Sequence, residues 1–176
     1  NNSFQNIAPS GYLKHEFDLK EYTTLLIPNV IPIASYIFKE RKKITPKLLY
    51  VRAFAKIYNP TMAIEVLKEL KKIYSKAVLC MVGPDKDGTL YDVQQLIDRY
   101  QLHHRVEITG VLSKKEWHKK SEEFDIFINT TNVDNTPISV IEAMALGLPV
   151  VSTNVGGLPY LISNNIDGVL VDKEQP

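Results

Sequence analysis

Asp125-Ile126-Phe127-Ile128-Asn129-Thr130-Thr131-Asn132-Val133-Asp134-Asn135-Thr136-Pro137-Ile138-Ser139-Val140-Ile141-Glu142-Ala143-Met144-Ala145-Leu146-Gly147-Leu148-Pro149-Val150-Val151-Ser152-Thr153 contains a complete structural unit. The apolar run at 125–129 reads as a short strand. A polar loop follows, and then a helix over 137–146 with proline in its first turn and Gly147 as its stop. Residues 149–153 read as a second strand. Both strands are continuously apolar rather than alternating, so the sheet they join is covered on both faces. A strand–helix–strand unit of this kind makes a right-handed parallel crossover.

The helix at 137–146 is apolar nearly all round, and Glu142 is its only charge. A carboxylate buried there costs several kcal/mol unless something satisfies it. That partner is a structural salt bridge, an exposed edge or a ligand. The unpaired N–H groups at the helix start suit a phosphate. With Asp134, Asn135 and Thr136 at its mouth, the spot fits a ligand both anionic and hydroxylated, such as a sugar nucleotide.

The same alternation extends outward. Strands are expected at 47–51, 77–82, 106–108 and 168–171, and helices at 60–74, 89–100 and 158–163. Asn59 reads as an N-cap before Pro60. Ser113-Lys114-Lys115-Glu116 has the form of a capping box. Together these give an α/β fold, a Rossmann-like doubly wound parallel sheet. Ligands in such a sheet sit beyond the carboxyl ends of the strands, which directs attention to the loops after Val51, Val82, Ile108, Asn129 and Thr153. The first stretch differs: a strand end and short helix over 6–17, a strand at 24–27, and a polar run, Lys39-Glu40-Arg41-Lys42-Lys43, expected to be a solvated connector.

Composition narrows the function. The 176 residues are 44% hydrophobic and 23% charged, the balance of a globule with a substantial core. Lys+Arg 21 against Asp+Glu 20 leaves +1, which gives no support to nucleic-acid binding. No segment has the roughly 20 apolar residues of a membrane span. The one cysteine, Cys80, lies in an apolar run and reads as a buried thiol in a reducing compartment. The chain opens Asn1-Asn2 rather than with methionine, and is expected to be an excised piece of a longer protein. Gly83-Pro84-Asp85-Lys86-Asp87-Gly88 lacks the Gly-Lys-Ser/Thr ending of a phosphate loop and reads as a turn. Gly156-Gly157 allows close backbone approach to a ligand or a tight strand–helix turn. His103-His104, His15 and His118 have no metal-ligand spacing, Trp117 reads as a packing residue, and no Ser, His and Asp set forms a triad.

The segment Asp134-Asn135-Thr136-Pro137-Ile138-Ser139-Val140-Ile141-Glu142-Ala143-Met144-Ala145-Leu146-Gly147-Leu148-Pro149-Val150-Val151 resembles the signature of the family 4 (group 1) glycosyltransferases: two acidic residues separated by seven, then Ala-Met-Ala/Cys-Gly-x-Pro-Val-Val. Ile27-Pro28-Asn29, Met81-Val82-Gly83, Val106 to Gly110 and Gly156-Gly157-Leu158-Pro159 are supporting matches. The resemblance implies the C-terminal half of a GT-B fold, with residues 1–23 a remnant of the N-terminal domain and interdomain crossing, residues 24–176 the nucleotide-sugar-binding domain, and the family's closing helices missing.

The resemblance further implies retaining transfer of a sugar from a nucleotide-diphosphate sugar to an acceptor hydroxyl, in polysaccharide, lipopolysaccharide or glycolipid synthesis. Glu142 is expected to hold the ribose hydroxyls and Asp134 to face the donor sugar. Asn135, Thr136, Pro137 and Ile138 would line the sugar and phosphate end, Gly83 the donor cleft, and Val111 and Leu112 the base. Arg52 matches the arginine of the family's Gly-Arg-x-x-x-x-Lys-Gly, but Tyr58-Asn59 stands where Lys-Gly is expected, and Lys56 is the candidate to replace the missing charge. Arg52, Asp134 and Glu142 are the expected catalytic set, with no metal and no cofactor. Expected partners are the nucleotide sugar, an acceptor glycan or lipid-linked sugar, and the missing N-terminal domain. The expected location is cytoplasmic, at the inner membrane face for the full enzyme, and the fragment alone is expected to be inactive. A GT-B binding module without transferase activity, or a GT-B epimerase or phosphorylase, stands as the alternative.

Overall fold

A computed structural model describes residues 4–173. Two short strands, β1 (Asn6–Ala8) and β2 (Thr24–Leu26), pair in parallel around helix α1 (Gly11–Asp18). They form a sheet of their own, apart from the main one. The main sheet holds β3 (Lys47–Val51), β4 (Val78–Val82), β5 (Val106–Gly110), β6 (Ile126–Asn129), β7 (Val150–Thr153) and β8 (Val169–Val171), all parallel, in the order β5-β4-β3-β6-β7-β8. The chain starts in the middle, walks out to β5, returns beside β3 and walks out the other way. Its order reverses between β3 and β6, and that reversal opens a crevice at their carboxyl ends.

Alternation along each strand divides the core into two layers. Leu48, Tyr50, Leu79 and Met81 point to one face, where Ala63, Ile64 and Leu67 of α2 (Pro60–Ile73) and Val93 and Ile97 of α3 (Thr89–Arg99) cover them. Leu49, Cys80, Val82 and Phe127 point to the other. There they meet Trp117 of α4 (Lys114–Lys120), Val140 and Ala143 of α5 (Ile138–Ala145) and Leu158 of α6 (Leu158–Leu161). Leu67 is fully buried, a burial that stabilises by about 1.5–3 kcal/mol. Burial pushes the Cys80 thiol up to about 12, so it packs as an apolar group at neutral pH.

Local signals hold in part. The Ser113 capping box forms, with Ser113 Oγ accepting from Glu116 N–H at 3.3 Å and Glu116 accepting from Ser113 N–H at 2.7 Å. The 83–88 turn is closed by Gly88 N–H donating to Asp85 at 3.0 Å. Asn59 makes no side-chain cap: it sits at φ 45°, and its Oδ1 accepts from the Thr61 hydroxyl at 2.9 Å. Residues 39–43 are the solvated connector expected, with all but Arg41 exposed, and are tied down at Lys39 and Arg41. Arg41 donates to the carbonyls of Leu146 (2.7 Å), Ser121 (3.0 Å) and Phe124 (3.1 Å), and Lys39 N–H donates to Leu146 (3.2 Å).

Candidate functional site

Arg52 is the first residue past β3 and enters the crevice at the point of reversal. Its side chain is mostly buried and its Nη2 pairs with Asp134 Oδ2. The guanidinium lies 4.3 Å above the centre of the Tyr58 ring, and Nε is buried without a hydrogen-bond partner. Burial lowers the Arg52 pKa, opposed by the neighbouring phenols of Tyr58 and Tyr50; an arginine remains charged under that push.

The loop after β6 explains why these groups meet. Thr130 Oγ1 donates to the carbonyls of Asn59 (2.8 Å) and Tyr58 (3.2 Å), and Thr131 Oγ1 to those of Val133 (2.8 Å) and Ile57 (3.1 Å). Asn132 donates its N–H to Ile57 (2.8 Å) and its amide to the Lys56 carbonyl (3.0 Å). Thr130, Thr131 and Asn132 thus zip the β6 loop to the β3 loop and bring Asp134 against Arg52. Gly156 and Gly157 close it from behind: a Cβ on either would run into the carbonyl oxygens of Asp134 and Asn135, and Gly157 N–H donates to Asp134 at 2.9 Å. The close approach expected of this diglycine is to the chain's own backbone.

Glu142 is 3% exposed and not free. Its Oε1 accepts from the Tyr36 hydroxyl at 2.8 Å and from Lys114 Nζ at 2.7 Å. The Lys114 pKa is raised by that hydrogen bond, and the Tyr36 pKa by burial and then by Glu142. One turn along α4, His118 packs against the rings of Tyr36 (4.9 Å) and Trp117 (4.5 Å). Its Nε2 is buried without a partner, and burial lowers its pKa.

Between these groups lies a cavity of about 300 Å³. It is lined by apolar Val51, Val82, Val111, Leu112 and Trp117 and by polar Arg52, Tyr58, Lys114 and Ser139, among others. Ser139 Oγ is buried without a hydrogen-bond partner. A larger cavity of about 520 Å³ lies at the opposite, amino end of β3, β4 and β5, lined by Lys47, His103, His104, Arg105 and Glu107 among others. The smaller one sits where an open α/β sheet takes its ligands.

Of the residues expected from sequence, Arg52, Gly83, Val111 and Leu112 line this cavity. Asp134 joins it through Arg52, and Glu142 through Lys114. Pro137 caps α5 and Ile138 begins it. Asn135 Oδ1 instead accepts from the Ser10 hydroxyl, and Thr136 Oγ1 donates to the Pro9 carbonyl at 3.4 Å, tying the loop to the N-terminal piece. Lys56, expected to supply charge, is exposed and lies outside the cavity lining. Tyr58, Lys114, Ser139 and Tyr36 were missed as site residues. Ser139 was within reach, since it stands three residues before Glu142 and shares its helix face. Tyr36 carried no local signal, because its contact spans 106 positions.

The model of the family described as Glycosyl transferases group 1 matches residues 34–176. The chain is 31% identical over 118 residues to the putative colanic acid biosynthesis glycosyltransferase WcaL of Escherichia coli K12, covering 62% of this chain and 28% of that protein. It is 35% identical over 75 residues to the amylovoran biosynthesis glycosyltransferase AmsK of Erwinia amylovora, covering 39% and 18%. Among solved structures, HepE of Anabaena in complex with UDP and glucose superposes with a TM-score of 0.83 at 19% identity, over 97% of this chain and 50% of that one. Sucrose-phosphate synthase from Thermosynechococcus elongatus gives 0.86 at 21%, over 99% and 46%. The chain therefore spans at most about half the length of these proteins. The shared architecture is the C-terminal half of the GT-B fold.

Proposed function

Because this chain belongs to the Glycosyl transferases group 1 family, we propose that it is the donor-binding half of a retaining glycosyltransferase that moves a sugar from a nucleotide diphosphate to an acceptor hydroxyl. The observation that carries this is the 300 Å³ cavity at the sheet reversal, lined by mostly buried Arg52 and by Lys114, which pairs with buried Glu142.

Breaking the sugar–phosphate bond leaves negative charge on the diphosphate. Donors fixed in advance toward that charge lower the barrier, because they act most strongly where charge develops. Arg52, Lys114, the Ser139 hydroxyl and the first N–H groups of α5 supply them. Such a clamp does the work of a divalent cation, so the reading needs no metal. Asp134 faces the sugar hydroxyls, with Asn135, Thr136, Pro137 and Ile138 forming the loop at the sugar end. Glu142 Oε1 is already taken by Tyr36 and Lys114, which leaves Oε2 for the ribose hydroxyls. Gly83 lines the donor cleft, and Val111 and Leu112 flank the base.

The acceptor, a glycan or lipid-linked sugar, is met by a preceding GT-B domain. Exposed Ile7, Leu25, Leu26 and Ile27 on and beside the small sheet fit a surface that such a domain covers. Alone, the chain binds donor without transferring it, since the reacting groups are not held together. Among the described residues no helix is long and apolar enough to cross a membrane; the proposed setting is the cytoplasm, at the inner membrane face when the acceptor is lipid-linked.

Calorimetric titration with UDP, GDP and ADP tests the proposal. One nucleotide binds selectively, and Glu142→Ala weakens it by about tenfold or more, the scale of a lost hydrogen bond to a charged group. Equal, Glu142-independent binding of all three, or none at millimolar ligand, would refute it.

A further inference from the structure

Tyr58 occupies a place where a second cation was expected, and its geometry gives it a different task. Its ring centre lies 4.3 Å from the Arg52 guanidinium carbon, and the residue lines the same cavity. The loop fixes it from behind, with its carbonyl accepting from Thr130 Oγ1 at 3.2 Å. The expected substitute, Lys56, is exposed and off the cavity. Arg52 is thus the one mostly buried cation at the cavity among the described residues, paired through Nη2 with Asp134 and carrying a buried, unpartnered Nε.

We infer that Tyr58 is a positioning residue for Arg52. The ring supports the guanidinium from one side, and a cation held over an aromatic face can exchange its hydrogen-bond partners without leaving that face. Arg52 can therefore swing between Asp134 and an anion entering the cavity while its support stays constant. A lysine in place of Tyr58 would bring its own charge but no platform. The anion's identity, a nucleoside diphosphate, rests on the donor role proposed above; the positioning of Arg52 does not.

Two measurements on the 176-residue chain test this separately. The first, NMR relaxation of the Arg52 Nε–H group without ligand, is expected to show an ordered side chain in the wild type and in Tyr58→Phe, and a loosened one in Tyr58→Ala. The second is UDP titration of Tyr58→Ala, Arg52→Ala and the double variant. Tyr58→Ala weakens UDP about fivefold, the scale of a partly buried cation–π contact, while Tyr58→Phe stays within about twofold. In the Arg52→Ala background Tyr58→Ala has no further effect, because it acts only through Arg52. An equally ordered Arg52 in Tyr58→Ala overturns the inference, and so does an undiminished effect of Tyr58→Ala without Arg52. A loosened Arg52 in a chain whose wild type binds no UDP supports the positioning role and counts against the donor role alone.

Discussion

Asp134 is the residue at which two demands collide. Without a ligand it supplies the counter-charge of Arg52. On the proposed donor-binding reading, the same arginine serves the diphosphate when a donor is bound, and Asp134 turns to the sugar. Asp134→Asn separates the two. It leaves an uncompensated, mostly buried guanidinium and destabilises the free chain by about 3 kcal/mol, on the scale of a broken buried pair. It also removes the competitor for Arg52, so UDP binds several-fold more tightly, while the preference for the sugar conjugate over UDP shrinks. Thermal unfolding with and without UDP checks both signs; a variant as stable as wild type that binds UDP more weakly contradicts the arrangement. Asp134 and Glu142 were legible from spacing and from a lone charge in an apolar helix. Lys114 and Tyr36 were not, because a side chain reaching across elements leaves no trace in local pattern.

At the scale of elements, the site depends on how loops are pressed together. Gly157 has an ordinary helical φ of −83° but no room for a Cβ against Asn135. Gly157→Ala is expected to cost about 1–3 kcal/mol by overpacking and to weaken UDP, since it displaces the Asp134 loop. Gly88 is the control. Its φ is +84° with open space around it, so Gly88→Ala costs about 1–2 kcal/mol in strain and leaves UDP affinity unchanged. Equal effects of the two on UDP would show that the diglycine does not hold the site. Helix α4 carries a pH dependence as well. Burial holds the His118 pKa below its ordinary 6.5, so below that pH the unfolded chain takes a proton that the native one resists. Stability from this residue is complete above about 6.5 and lost as pH falls through it. His118→Gln should flatten the decline between pH 7 and 5 measured by denaturant unfolding; a steeper decline contradicts the assignment. The Ser113 capping box was readable because its partners lie within one turn. Asn59 was readable for the same reason: it stands as the N-cap directly before Pro60, and only its side-chain capping bond is absent.

For the whole molecule, the continuously apolar strands announced a sheet covered on both faces, and strand–helix alternation announced parallel pairing. The strand order, which alone places the site, was not written in any segment. It follows from β6 returning beside β3, a choice made by packing of the two layers. The same return explains why Arg52 and Asp134, 82 positions apart in the sequence, meet at one crevice. It also explains why the larger cavity at the amino end of the strands has none of these groups. The two cavities therefore offer an internal comparison. The measurement that tests the account most directly is an NMR map of backbone amide shifts on titration with UDP. The expected changes gather at Arg52, Val111, Ser139 and Glu142, with Lys47, His103 and Arg105 unmoved. Changes gathered instead at those three, around the 520 Å³ cavity, would contradict it.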